Sequence, residues 1–211
     1  MIDRFGQKRT MKQALVGYGG FAREVMSYMD LVLPCFVEDD YFNPSQPCSR
    51  RLSTFSPSEY ELFIAIADPT IRERIVKTLP PETKYFTLIH PSATILQGPH
   101  DEFVSIGEGS YISAGCKIGC STTIGKHAQL NWNTIIGHDC VIGDFFTTAP
   151  IAGAMGNNRI GNCVYFGANA CSIEKISICS DVTIGAGATV VKDITEPGTY
   201  VGNPARKMVK R

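Results

Sequence analysis

His138 and Asp139 stand together in the run Ile136-Gly137-His138-Asp139-Cys140, and eighteen residues on the chain reads Met155-Gly156-Asn157. Histidine is the side chain that exchanges a proton near neutral pH. A neighbouring carboxylate can hold one imidazole tautomer and stabilise the imidazolium. Glycine leaves its backbone N–H unshielded, so that N–H can face a developing oxyanion. If segments eighteen residues apart run side by side, base and donor stand about 5 Å apart. That is the minimum arrangement for acyl transfer. The other histidines offer less. His90 precedes Pro91, His100 lies in a polar stretch, and His127, like His138, falls at a corner expected to be outside. Cys140 is a rival nucleophile by proximity, but its slot is expected to face inward, away from substrate. A metal centre needs three histidines together; His127 and His138 lie on different corners, so no metal is expected.

The elements that position these residues follow from a period of six. From Ile106 to Val190 every sixth residue is Ile, Leu, Val or Phe, except Thr148, Ala154 and Ser172. A self-similar period identifies a repeat architecture. Six residues make a short strand plus a corner. The residue two before each apolar position is often small (Cys116, Ala128, Cys140, Ala152, Ala170, Ala188), and in a strand that pair shares the inward face. Three faces close a coil of eighteen residues, and coils stack as a solenoid. Glycine often follows the apolar residue, as at Gly107, Gly119, Gly125 and Gly137, and is expected there for unusual backbone dihedrals. Such a core is packed shut, so chemistry belongs on corners, outward positions and subunit boundaries.

The first ninety residues read differently. Lys12 to Val16 is a short apolar strand, then Gly17-Tyr18-Gly19-Gly20-Phe21-Ala22 leads into a helix with Ala22, Val25, Met26 and Met29 on one face. Gly17, Gly19 and Ala22 fit G-x-G-x-x-A, a turn that brings amides and a helix N-terminus to a phosphate. A strand at Cys35 to Val37 ends in Glu38-Asp39-Asp40, near where a nucleotide-binding acid is expected. A third strand, Leu62 to Ala67, leads into a helix over Ile71 to Leu79. Three or four parallel strands are half of a dinucleotide fold, enough for a mononucleotide and too little for NAD. The fold class is therefore an α/β mononucleotide-binding (half-Rossmann) domain over 12–88, then a parallel β-helix of hexapeptide repeats over 89–211. Residues 1–11 read as a disordered lead, and a polar insertion, Gln97 to Phe103, interrupts the first coil.

Composition narrows the partners. Twenty basic and twenty acidic residues cancel, which argues against nucleic acid or a membrane surface as partner. The first ten residues lack the apolar core of a signal peptide. Eight cysteines without CxxC spacing read as reduced and structural, in keeping with a cytoplasmic protein.

The motifs G-Y-G-G-F-A-R-E-V, F-V-E-D-D, I-H-P-S-A, L-N-W-N-T-I-I-G-H-D-C-V-I-G-D, V-T-I-G-A-G-A-T-V-V-K-D-I and Y-V-G-N-P-A-R-K together resemble the bacterial sugar O-/N-acyltransferases of the NeuD/PglD type. These are hexapeptide-repeat acyltransferases, and the likeness runs from about Lys12 to Arg211. It implies a left-handed course for the β-helix and a homotrimer with acetyl-CoA between subunits. It places the general base on His138, the adjacent acid on Asp139, a catalytic asparagine on Asn131 and the amide facing the acetyl carbonyl on Gly156. Asn131, on a different corner, meets His138 only from a neighbouring subunit. CoA contacts fall at Gly156, Ala168, Ala186 and Thr147, with the G-N-P-A tail closing over the arm. The nucleotide sugar falls to Gly17, Gly19, Gly20, Glu38 and Asp39. Phe21 and Thr147, the latter outward on its strand, stand where many relatives carry histidine. The implied reaction is acetyl-CoA-dependent N-acetylation of a UDP- or dTDP-linked 4-amino-4,6-dideoxyhexose. Alternatives are O-acetylation of a sugar such as sialic acid, and a non-catalytic nucleotide-sugar-binding scaffold.

Overall fold

The computed structural model describes residues 11–99 and 103–209. The lead expected over 1–11 therefore falls, Met11 excepted, outside the described residues, as does His100. By contact density the chain divides into two units. The first takes residues up to Ile66 and again Ile75–Phe86; the second takes Ala67–Arg74 and everything from Thr87.

The first unit is a parallel sheet. Strand β1 (Lys12–Val16) is followed by helix α1 (Gly20–Met29), β2 (Cys35–Val37), β3 (Ser49–Arg51) and β4 (Tyr60–Ile64). Helix α2 (Pro69–Thr78), of which the residues from Ile75 belong to this unit, and β5 (Lys84–Tyr85) complete it. The order across the sheet is β3-β2-β1-β4-β5, all parallel. It has five strands rather than three or four. β3 is Ser-Arg-Arg and β5 Lys-Tyr, edge pieces without an apolar run; Arg50 donates to the Tyr60 hydroxyl at 2.7 Å, and Tyr85 packs against the core. The third strand begins at Tyr60 and ends at Ile64, and α2 starts at Pro69, where Asp68 accepts the N–H of Thr70 and of Ile71. The core is the central strands' apolar side chains (Ala14, Val16, Phe36, Leu62, Ile64) with Ile75.

In the second unit the first strands precede the regular six-residue stripe. β6 (Leu88–Ile89) already pairs with Tyr111–Ile112 and β7 (Thr94–Ile95) with Lys117–Ile118. From Ser105 to Val190 short strands, all but one of two residues, recur every six residues and stack in parallel into three sheets. Register advances by eighteen residues per coil, as in Leu130 opposite Thr148 and Thr148 opposite Phe166. In the first coil Leu88 lies opposite Tyr111, a step of twenty-three. The five extra residues belong to the Gln97–Phe103 insertion. The inward stripe is dry: Ile112, Ile118, Ile124, Leu130 and Ile136 are at most 1% exposed, with Cys116, Ala128 and Cys140 at 0% filling the slots between.

The corners correct one expectation. The left-handed residue is not the glycine after the apolar position but the residue two further on. Ser121, His127, Asn133, Asp139, Phe145, Ile151 and Asn157 all have φ between 55 and 63°, while Gly119, Gly125 and Gly137 do not have positive φ. Those glycines answer to close approach. A Cβ on Gly107 would lie 2.5 Å from the carbonyl carbon of Gly125, and one on Gly119 2.5 Å from the His138 nitrogen. No side chain fits between coils there. Among the described residues no helix is long and apolar enough to cross a membrane.

A methyl group at Gly125 would meet the backbone N of Asp144 at 2.6 Å. Gly125→Ala should therefore destabilise by about 1–3 kcal/mol through overpacking. Lys175→Gly, at an exposed corner with φ 60°, should leave stability unchanged or raise it by up to about 1 kcal/mol. Thermal denaturation of the two variants checks both; equal losses would return the glycines to a dihedral role.

Candidate active site

His138 and Asp139 form one corner after the strand Ile135–Ile136. The His138 ring is exposed, and its Nδ1 lies 2.6 Å from Asp139 Oδ2. Asp139 takes the left-handed position of the turn, φ 57°, which short polar side chains tolerate best among non-glycine residues. With Nδ1–H donating to the carboxylate, Nε2 carries the lone pair and faces away from Asp139.

Gly156 takes the same corner one coil on. A Cβ there would stand 2.9 Å from His138 Nε2 and 3.0 Å from Cε1, so only glycine admits the ring in this pose. The next corner in sequence treats its amides differently. Lys126 N–H donates to Asp144 Oδ1 at 2.7 Å, Asp144 N–H to Asn162 Oδ1 at 2.9 Å, and Asn162 N–H to Ser180 Oγ at 2.9 Å. Each amide there is capped by a side chain from the coil above. At the His138 corner that side chain would be residue 156, and glycine has none. The Gly156 N–H itself donates to no acceptor among the described residues, while its carbonyl accepts from Lys175. The His138 ring thus lies against a glycine whose own N–H is not taken up by an acceptor among the described residues.

Asn131, Ala168 and Ala186 are not brought to this corner. They lie along the edge that carries Trp132, Ala168 and Ala186 at intervals of whole coils, Ala168 half-buried and Ala186 exposed. Asn131 Oδ1 accepts the N–H of Trp132 at 2.7 Å.

Two outward expectations fail. His127 is 3% exposed and stacks on Phe145 with centroids 5.1 Å apart. Thr147 is 2% exposed, so it is not open to a CoA arm. The cause is Arg72, fully buried on the first turns of α2. Its Nε donates to the His127 carbonyl at 3.0 Å, and its Nη2 to the Phe145 carbonyl at 2.9 Å and Thr147 Oγ1 at 2.6 Å. Nη1 reaches the Ala67 carbonyl at 3.2 Å. Burial pushes the guanidinium down to about 9. Nothing in the repeat signals this clamp, because its donor lies outside the repeat.

In the first unit Gly17 holds φ 106°, with a Cβ only 3.0 Å from the Ala65 carbonyl oxygen. Gly19 and Gly20 are exposed, with nothing within 4 Å of a Cβ at Gly19. No side chain caps the start of α1. Phe21 packs edge-on against Phe63, centroids 6.1 Å apart. Glu38 and Asp39 line an open cavity of about 480 Å³ with Leu52, Phe55 and Leu79, and the glycines do not. Asp39 is held below the usual carboxylate range by the hydroxyl and N–H of Ser53.

The chain is 32% identical over 152 residues to GDP-perosamine N-acetyltransferase of Escherichia coli O157:H7, covering 69% of this chain and 66% of that protein. It is 33% identical over 124 residues to UDP-3-O-acylglucosamine N-acyltransferase of Bordetella avium (strain 197N), covering 53% of this chain and 34% of that one. It superposes on the acetyltransferase domain of PglB from Neisseria gonorrhoeae FA1090 with a TM-score of 0.79, at 28% identity over 94% of this chain and 100% of that one. In sequence and in fold the chain is similar to the hexapeptide-repeat, left-handed β-helix acyltransferases. No family model matches it. Another structure of the PglB domain in this superfamily is a complex with acetyl coenzyme A, at 28% identity and a TM-score of 0.78. The chain thus spans just under two thirds of one curated relative and about a third of the other.

His127 also sets a pH dependence of stability. Burial first, then the Arg72 charge, lower its pKa from 6.5 to about 4. Between these values the unfolded chain binds a proton that the folded chain does not, so stability falls as pH drops from 6.5 toward 4. Urea denaturation at several pH values should show this decline, and His127→Asn, suited to the left-handed corner, should flatten it.

Proposed function

We propose that the protein is an acetyl-CoA-dependent N-acetyltransferase acting on a nucleotide-linked amino sugar. The observation that carries this reading is the His138 imidazole lying against Gly156, its Nδ1 tied to Asp139. The amine nitrogen attacks the thioester carbonyl while Nε2 of His138 removes its proton. The carbonyl oxygen gathers negative charge against the Gly156 N–H. Asp139 stabilises the imidazolium, and collapse of the tetrahedral intermediate expels the CoA thiolate, which takes up a proton. No protein nucleophile is required, and Cys140 is fully buried.

The names of the relatives support an amino-sugar acceptor and a nucleotide carrier. One of those names contains a GDP-linked sugar and the other a UDP-linked one, so the carrier is a nucleoside diphosphate. In this reading the first unit is a mononucleotide-binding domain over about 12–88, with Gly17, Gly19 and Gly20 at the phosphates and Glu38 and Asp39 toward the nucleoside. The assembly is a homotrimer in which Asn131, Ala168 and Ala186 of one subunit face His138 of the next. What supports this is that those residues lie on another edge of the single chain from His138.

Release of free thiol from acetyl-CoA, measured with GDP-, UDP- and dTDP-linked amino sugars and their hydroxyl counterparts, tests the reaction and ranks the acceptors. Turnover is expected with an amino sugar. His138→Ala should lower it by roughly 10² to 10⁴-fold with the fold intact. Unchanged turnover would remove His138 as base. Nucleotide-sugar binding without thiol release would leave a scaffold instead.

A further inference from the structure

Thr148 breaks the apolar stripe of its sheet, whose inward column otherwise runs Ile112, Leu130, Phe166 and Ile184. It faces Leu130 across the coils, directly before Asn131. Elsewhere in this column the N–H after the inward residue bonds to the backbone of the next coil: Ser113 to Leu130, Ala149 to Phe166, Gly167 to Ile184, Gly185 to Tyr200. Asn131 departs from this, and its N–H goes to Thr148 Oγ1 at 3.0 Å. Thr148 Oγ1 lies 2.7 Å from Thr134 Oγ1, and Thr134 Oγ1 donates to the Asn131 carbonyl at 2.8 Å. Each hydroxyl has one hydrogen. Thr134 spends its own on Asn131, so Thr148 donates to Thr134. The result is a closed ring of three hydrogen bonds, Asn131 N–H to Thr148 to Thr134 to Asn131 C=O. Both threonines are at most 2% exposed.

The ring holds both polar groups of the Asn131 backbone. The side chain is fixed from the other side, since Oδ1 accepts Trp132 N–H. With one lone pair of Oδ1 taken by Trp132, Asn131 presents chiefly its Nδ2 hydrogens. It can hold an acceptor, such as a thioester carbonyl or a sugar oxygen, and cannot take a proton from the attacking amine. We infer that Thr134 and Thr148 are positioning residues, an interior device that aims the Asn131 amide as a donor into the acyl-transfer site. This rests on the reading of Asn131 as a site residue given above.

The test compares Asn131→Ala, Thr148→Val, Thr148→Ser, Thr134→Val and the double variant Asn131→Ala/Thr148→Val in the thiol-release assay, with thermal denaturation of each. Valine keeps the shape of threonine and removes the ring. Thr148→Val and Thr134→Val should each lower kcat about 10-fold with KM changed less than about twofold. Thr148→Ser should restore kcat. In the Asn131→Ala background, Thr148→Val should add less than about twofold, because the two act through one group. Wild-type kcat in Thr148→Val beside an impaired Asn131→Ala would overturn the positioning role alone. Losses that multiply in the double variant, or that serine fails to rescue, would mark an ordinary core role and overturn it as well. A fully active Asn131→Ala would overturn both the role of Asn131 and this inference.

Discussion

The distance between stacked coils constrains everything else in the second unit. Parallel strands sit about 4.8 Å apart, and each coil must turn three times without pushing its neighbours away. Where the chain leaves a strand, the space to the coil above admits no methyl group, and a Cβ on Gly107, Gly119 or Gly161 would meet backbone at 2.5 Å. Two residues later the chain must take a left-handed dihedral to turn the corner. The six-residue period is the sequence record of these two demands.

The same stacking makes a site out of ordinary parts. A coil edge presents one residue per turn to the next coil, so whatever a corner lacks in one coil is felt by the coil beneath. Along one edge, Asp144, Asn162 and Ser180 cap the amide below. Glycine at 156 withdraws that cap and opens room for the imidazole of His138. The interior is filled with side chains and can hold no substrate, so edges are the places where polar groups from two coils meet solvent together.

Much of this was legible in the sequence, because spacing maps directly onto register. The inward stripe, the small residues beside it, and the pairing of His138 with Gly156 follow from counting by six and eighteen. What escaped has physical reasons. The glycines read as dihedral positions because glycine answers two problems, close approach and positive φ, and a sequence does not distinguish them. His127 reads as a surface corner because the repeat is silent about Arg72, fifty-five residues earlier, whose guanidinium covers the carbonyls of His127 and Phe145. Strands β3 and β5 were missed because edge strands made of Ser-Arg-Arg and Lys-Tyr carry no apolar pattern.

The exceptions to the stripe are as informative as the stripe. A buried hydroxyl costs free energy unless it is bonded, so an interior threonine or serine in a column of Ile and Leu needs a partner nearby. Thr148 finds Asn131 and Thr134; Ser172 accepts from the buried Asn158, whose Oδ1 takes the N–H of Ile176. Both breaks lie one coil above a residue next to a corner that matters, Thr148 opposite Leu130 beside Asn131 and Ser172 opposite Ala154 near Gly156. In a solenoid whose coils are otherwise interchangeable, an interior polar residue is a local departure from the repeat. An apolar side chain at 148 would leave the Asn131 N–H without this acceptor, and one at 172 would leave the buried Asn158 amide without its own.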